Sequence, residues 1–284
     1  YLILFDKKTF FNYVINLKMY IHNLNPVLLD LGIIEIRWYS LAYIFGILAG
    51  WWIGKKILNF KTGPQQTFFR EEFDNLVSYL IIGIILGGRM GYVIFYNLPF
   101  YLDNPFNIFK VWEGGMSFHG ALIGIIIATY FFSNSFEKKF NFFILLDIIA
   151  CVAPIGLFFG RIANFINAEL YGKPSNLFFS VIFPSVDNIP RHPSQLYEAA
   201  LEGLLLFAIL IFTTYKTKVK TGICSCLFLV FYGIFRIISE QFREPDIQIG
   251  YLFNQVSMGS FLSSIMILIG IILFVSIKKN VFKS

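Results

Sequence analysis

Residues 160–172 read GRIANFINAELYG, so an arginine, two asparagines and a glutamate close the apolar run FFILLDIIACVAPIGLFF. Arg161 and Asn164 are three apart and share a face if the segment is helical. Asn167 is three further on, and Glu169 falls past the expected helix end, near Gly172. A second arginine, Arg236, stands in YGIFRIISEQFREPD, where Tyr232, Arg236 and Glu240 at i, i+4 and i+8 lie near one helical stripe. A charge in hydrocarbon is costly, so each needs a partner or a task. Two guanidiniums in such a setting suit an anion with several oxygens, phosphate first, because the planar fork matches its geometry. The competing structural readings are a clamp from Arg161 to a carboxylate on another helix and an intrahelical pair between Arg236 and Glu240.

His119 lies in WEGGMSFHG, where Gly114, Gly115 and Gly120 let the backbone bend or a ligand come close. Imidazole titrates in the range useful for moving protons, although a lone histidine is more often structural. His192 precedes Pro193 in RHPSQLYEA at an expected helix start and reads as a loop or capping residue. Glu198 and Glu202 share a face at i, i+4 and repel unless partnered. They read as partners for the arginines rather than as a catalytic dyad. Arg89, in ILGGRMGYVIFYN, is flanked by glycines that admit a neighbouring helix. Helix packing and headgroup contact both stand for it.

The elements that must position these groups are apolar. The 284 residues are 57% hydrophobic and 14% charged, with a mean hydropathy of +0.68; soluble domains carry about a quarter of their residues as charges. Seven apolar runs occur, at about 38–54, 74–96, 118–132, 142–166, 196–213, 223–240 and 256–277, several of them near the roughly 20 residues that cross a bilayer. The expected fold class is an all-α polytopic membrane protein of seven transmembrane helices. The third run is short and begins among glycines, so it is expected to be tilted or partly re-entrant.

With the N-terminus outside, the inner segments hold Lys55, Lys56, Lys61, Arg70, Lys138, Lys139, Lys216, Lys218, Lys220, Lys278, Lys279 and Lys283. The outer segments after Met19 hold Arg37, Lys110, Lys173, Arg191 and Arg243. Twelve against five predicts N-out and C-in, with the C-terminus cytoplasmic. The net charge of +6 is spread in small clusters between apolar runs, as topology requires, which argues against a nucleic-acid partner. Cys151, Cys224 and Cys226 all lie in apolar runs without metal-ligand spacing and read as packing residues. Residues 1–18 are expected to be an extension upstream of Met19 or a disordered N-terminus. Residues 19–284 are expected to form one seven-span domain with a short outer head at about 171–194.

The ordered motifs RWYSLAY, GGRMGYVIFYN, WEGGMSFHGALIG, GRIANFINAELYG, RHPSQLYE and YGIFRIISEQFREPD resemble those of the prolipoprotein diacylglyceryl transferase family, from about Asn25 to the C-terminal tail. Ser40 stands where glycine is common, and Ala121 where a second glycine often follows HG. The resemblance implies seven spans with the N-terminus outside, in the bacterial cytoplasmic (inner) membrane. It also implies transfer of the diacylglyceryl group of phosphatidylglycerol to the lipobox cysteine of prolipoprotein signal peptides, releasing glycerol 1-phosphate without metal or organic cofactor. The residues it marks are Tyr39, His119, Arg161, Asn164, Glu169, Gly172, Tyr232, Arg236 and Glu240.

Within that chemistry a thiol must lose its proton and charge must be stabilised on a leaving phosphate. Arg161 and Arg236 suit the second task, with Asn164 as a donor. His119 is either the general base or a headgroup binder. Glu169 and Glu240 are expected to orient the arginines, Tyr39 and Tyr232 to bond the headgroup or line its pocket, and Gly172 to turn the chain into the outer loop. A transporter or flippase for an anionic lipid, and a lipid-binding scaffold, are the rival readings. The first predicts a polar path through the full bilayer depth; the second has no use for His119 among its glycines.

Overall fold

The computed structural model describes residues 19–32, 35–62, 67–111, 114–135, 140–216, 219–245, 251–252 and 256–279. The expected extension at residues 1–18 lies outside them, as do Lys138, Lys139, Lys218 and Lys283 from the charge count. Hydrocarbon offers no partner for backbone groups, so apolar runs of this length close their hydrogen bonds internally, as helices. The long helices are α1 (Trp38–Thr62), α2 (Thr67–Tyr96), α4 (Phe118–Asn134), α5 (Phe142–Ile166), α6 (Ser194–Lys216), α7 (Ile223–Glu240) and α8 (Met258–Lys279). A short α3 (Leu98–Asp103) and a 3-10 turn (Pro105–Phe109) lie between α2 and α4. Among the described residues six helices are long and apolar enough to cross a membrane, and the chain is a polytopic membrane protein. Exposed side chains such as Leu86, Phe131, Leu268 and Ile272 form the apolar outer surface that lipid requires.

The third run, α4, is continuous over 17 residues, about 26 Å at 1.5 Å per residue. Ser117 starts it cleanly, its Oγ accepting from the Gly120 amide at 3.2 Å. Glycines seat it on α2. A Cβ on Gly87 would lie 2.7 Å from the Gly124 Cα, and one on Gly120 would lie 2.6 Å from the Gly91 Cα. Small residues let these backbones meet where no hydrophobic force drives helices together.

Short strands gather where α1, α6 and α8 begin. Strand β1 (Tyr20–Ile21) runs parallel to β4 (Val181–Ile182), which pairs antiparallel with β5 (Pro190–Arg191). Hairpins β2 (Val27–Asp30) with β3 (Glu35–Arg37), and β6 (Tyr251–Leu252) with β7 (Val256–Ser257), sit beside them in the chain. This is the head end of the bundle. His22 fastens β1 there, its Nε2 2.8 Å from the Phe165 carbonyl and its ring against Phe165 and Phe183.

At the opposite end lies a charge the motifs do not mark. Asp147, fully buried in α5, accepts from the Gly222 amide (2.8 Å), the Ser225 amide and hydroxyl (both 2.9 Å) and Lys61 Nζ (3.1 Å). Its carboxylate thus caps the N-terminus of α7 and ties α1, α5 and α7 together. The three cysteines are buried packing residues, Cys151 and Cys224 sharing the Thr214 hydroxyl at 3.1 and 3.4 Å.

Candidate active site

Three helices deliver charge to one buried point near the head end. Helix α5 carries Arg161. Helix α6 carries Glu198 and Glu202 around a π turn at Ala199–Leu205, a wide turn that often marks functional positions. Helix α7 carries Arg236 and Glu240, and Arg243 follows directly after it.

Glu198 is the hub. One oxygen lies 2.7 Å from Arg161 Nε; the other lies 3.0 Å from Arg236 Nη1 and 3.6 Å from Arg243 Nη1. Glu202 receives Arg161 Nη2 at 3.3 Å and lies 3.5 Å from Arg236 Nη1, while Glu240 holds Arg236 Nη2 at 2.7 Å. Three guanidiniums answer three carboxylates, so the repulsion expected between Glu198 and Glu202 is offset from both sides. Several of these contacts are close without an aligned hydrogen bond: Arg161 Nε, Arg236 Nη1, both Glu198 oxygens and Glu202 Oε1 lack one among the described residues. The ion pairs of Arg161 use Nε and Nη2, leaving Nη1 outside them, and those of Arg236 leave Nε.

His119 enters from the start of α4. It is 8% exposed, and neither ring nitrogen has a hydrogen-bond partner among the described residues. A buried polar group without a hydrogen bond costs free energy, which makes His119 a candidate for contact with a bound molecule. The neighbouring Phe118 ring stacks on Tyr232 at 4.2 Å, and Tyr232 stacks in turn on Phe228 at 5.7 Å. That stack places His119 within electrostatic reach of Arg236, one turn beyond Tyr232. Tyr232, Arg236 and Glu240 are all buried on the stripe their spacing predicts.

The loop after α5 is wound tightly. Ala168 and Leu170 take φ of 54° and 55°, a left-handed conformation that costs about 1–3 kcal/mol for a residue with a side chain. Gln195 Nε2 donates to the Glu169 carbonyl at 2.6 Å and Ser194 Oγ to the Leu170 carbonyl at 2.9 Å, both side chains fully buried. These bonds hold the strain.

The turn into the outer loop is therefore made by Ala168 and Leu170, and Gly172 does not make it, contrary to the sequence expectation. Gly172 is a point of close approach. It pairs with Arg243 in an antiparallel bridge, and a Cβ there would run into the His192 carbonyl and lie 2.6 Å from both the His192 Cβ and the Phe242 carbonyl oxygen. Glu169, expected to orient an arginine, instead accepts from Asn164 Nδ2 and Asn167 Nδ2, both at 3.3 Å. Asn164 is buried, one helical turn beyond Arg161. Tyr39, in the first turn of α1, packs its ring 5.1 Å from Tyr43, which lies within electrostatic reach of Glu169 and Arg161.

Sequence reading counted Arg243 only as an outer charge, yet it is buried and drawn into the cluster. Gln195 and Ser194 were not singled out either; the one signal was their place in the RHPSQLYE motif. Outside the spans, Arg191 holds the Asp187 carboxyl below the usual carboxylate range by a 2.6 Å contact. Burial, then Lys173, pushes His192 below the ordinary imidazole value.

A family model described as prolipoprotein diacylglyceryl transferase matches residues 26–276. The chain is similar to proteins named phosphatidylglycerol–prolipoprotein diacylglyceryl transferase. With that of Rickettsia felis it is 52% identical over 250 residues, 87% of this chain and 95% of the relative. With that of Rickettsia conorii the identity is 53% over the same shares, and with that of Rickettsia typhi 52% over 254 residues, 89% and 96%.

Proposed function

Since the chain belongs to the prolipoprotein diacylglyceryl transferase family, we propose that it moves the diacylglyceryl group of phosphatidylglycerol onto the lipobox cysteine of prolipoproteins. A thioether forms and glycerol 1-phosphate leaves, the first step of bacterial lipoprotein maturation. The observation that carries this reading is a buried histidine, both ring nitrogens without a partner among the described residues, beside a cluster of three arginines.

In the proposed step the acceptor thiol, with an ordinary pKa of about 8.5, gives its proton to His119. The sulfur then forms a bond to the glycerol carbon that bears the phosphate. The C–O bond breaks, and its electron pair goes to the phosphate oxygen. Arg161 and Arg236 stabilise that charge through the nitrogens their ion pairs leave over, in a site where low dielectric strengthens the effect. Glu198, Glu202 and Glu240 keep the guanidiniums in place before lipid arrives. Asn164 and Glu169 form the edge of the headgroup site, and Tyr39 and Tyr232 line it. Gly172 keeps the outer loop tight above it.

Seven helices cross the cytoplasmic membrane in this reading, with the head end outside. Lys55, Lys56, Lys61, Lys216, Lys278 and Lys279, at the other helix ends, support that orientation.

The test is transfer by the purified protein from phosphatidylglycerol to a synthetic lipobox peptide, followed by mass. A gain of one diacylglyceryl group, absent when the acceptor cysteine is serine, is expected, and His119→Gln is expected to slow it by about 10²–10⁴-fold. No gain from folded protein would overturn the reaction; a wild-type rate for His119→Gln would overturn the role of His119.

A further inference from the structure

Arg89 is 4% exposed and makes no ion pair among the described residues. Its guanidinium is surrounded by backbone carbonyls. Nε donates to Ile108 at 2.9 Å, Nη1 to Gly114 at 2.5 Å and Gly115 at 3.3 Å, and Nη2 to Asn107 at 2.6 Å and Lys110 at 3.0 Å. An arginine has five N–H donors, and here five carbonyls take them. No donor remains for a phosphate, so the headgroup reading of Arg89 is set aside.

The carbonyls all belong to the segment that leads into α4. That segment has little core of its own: Leu102, Phe106 and Phe109 are 71%, 82% and 75% exposed. With these apolar side chains turned outward, five of the segment's carbonyls converge on Arg89, which satisfies them in apolar surroundings. Gly114 and Gly115 turn theirs inward with φ of 86° and 76°, a conformation glycine takes without steric cost. The chain then docks on α2 through the Ser117 amide, 2.9 Å from the Gly88 carbonyl, and Ser117 caps the helix that His119 opens.

We infer that Arg89 is a positioning residue for diacylglyceryl transfer: by gathering the carbonyls of Asn107, Ile108, Lys110, Gly114 and Gly115 it fixes where α4 begins and hence where His119 stands. The inference rests on the role of His119 proposed above. Arg89 acts through the chain and touches neither substrate nor the reacting atoms. The glycine contacts deeper along α2 and α4 hold the helices together independently, so losing the clamp loosens the start of α4 without separating the pair. Lysine cannot replace it, because an ammonium has three N–H donors and cannot span five carbonyls.

The experiment compares Arg89→Lys and Gly114→Ala with the unaltered protein in detergent. It measures kcat and KM for phosphatidylglycerol with a lipobox peptide, the thermal midpoint, and the rate at which diethyl pyrocarbonate modifies His119, mapped by mass. Gly114→Ala is the milder variant, because open space surrounds that position and only its φ is strained.

For Arg89→Lys, kcat is expected to fall by about 10–100-fold with KM little changed, since small misplacement of a reacting group has effects of that size. His119 is expected to react faster with the reagent in both variants. A raised KM at normal kcat would point to headgroup binding and overturn the proposal. A lowered midpoint with unchanged kcat per folded molecule and unchanged His119 reactivity would reduce Arg89 to a structural role and also overturn it. If the unaltered protein transfers nothing, it is the reaction assignment that fails, and the His119 modification rates still decide whether Arg89 holds that residue.

Discussion

Helix α5 carries two charged groups, the fully buried Asp147 and the partly buried Arg161, fourteen residues and so about 21 Å apart. They are surrounded in opposite ways. Asp147 receives four donors, two at each carboxylate oxygen, and none of its accepting capacity is left over. Arg161 belongs to a cluster of six charges in which several close contacts lack aligned hydrogen bonds, beside a histidine whose two ring nitrogens have no partner among the described residues. Both clusters bear the cost of dehydrating charge. Only one spends that charge entirely on the fold. In the proposed reading this difference separates structure from function inside a membrane: the sign of a site is burial with unspent hydrogen-bonding capacity, not burial alone.

The widest gap between the two regions should appear in turnover. Arg236→Ala removes a guanidinium from three glutamates and from the proposed leaving group, and the transfer rate is expected to fall by about 10²–10³-fold or more. Peptide mass assays on detergent-purified protein measure this. A rate within a few-fold of the unaltered enzyme would make the head-end cluster as structural as Asp147.

Asp147→Ala should show the converse. Lys61 loses its partner and the first amides of α7 lose their cap, so stability is expected to drop by about 3–5 kcal/mol. Turnover per folded molecule should stay within about twofold, because the two clusters are far apart and share no partner. A thermal melt paired with an active-site count separates the two effects. A large loss of turnover in protein that remains folded would break the comparison.

The smallest effect concerns pH at the head. His192 titrates below the ordinary imidazole value in the fold, so folding favours its neutral form. Its contribution is present above the unfolded value of about 6.5 and is lost as pH falls through the lower folded value. Stability is therefore expected to decline slightly below pH 6.5, and His192→Gln should flatten that slope in melts from pH 7.5 to 5. An unchanged slope would assign the decline to other groups.

Much of this architecture was legible in the chain. The predicted run at 142–166 coincides with α5 and that at 223–240 with α7, because an unbroken apolar run leaves its backbone no partner but itself. Spacing also placed Tyr232, Arg236 and Glu240 on one face and identified Glu198 and Glu202 as answers to the arginines. It did not reveal that Glu198 serves three of them. Nor did it reveal that Ala168 and Leu170, rather than Gly172, turn the chain. Left-handed φ at residues with side chains contradicts local preference and persists only where Gln195 and Ser194 reach across from α6.

By itself, then, the sequence determined which segments become helices, how their polar residues are spaced and which ionisable groups enter the apolar interior. These follow from hydrophobicity and helical periodicity, both properties of neighbours in the chain. The tertiary structure alone decided that Asp147 is exhausted on the start of α7, that Arg89 serves a loop, and that Arg243 joins the cluster around Glu198. Those outcomes depend on distances of a few ångströms between residues tens of positions apart. Charge seeks its partner through space, and only the packed helices determine which partner is near.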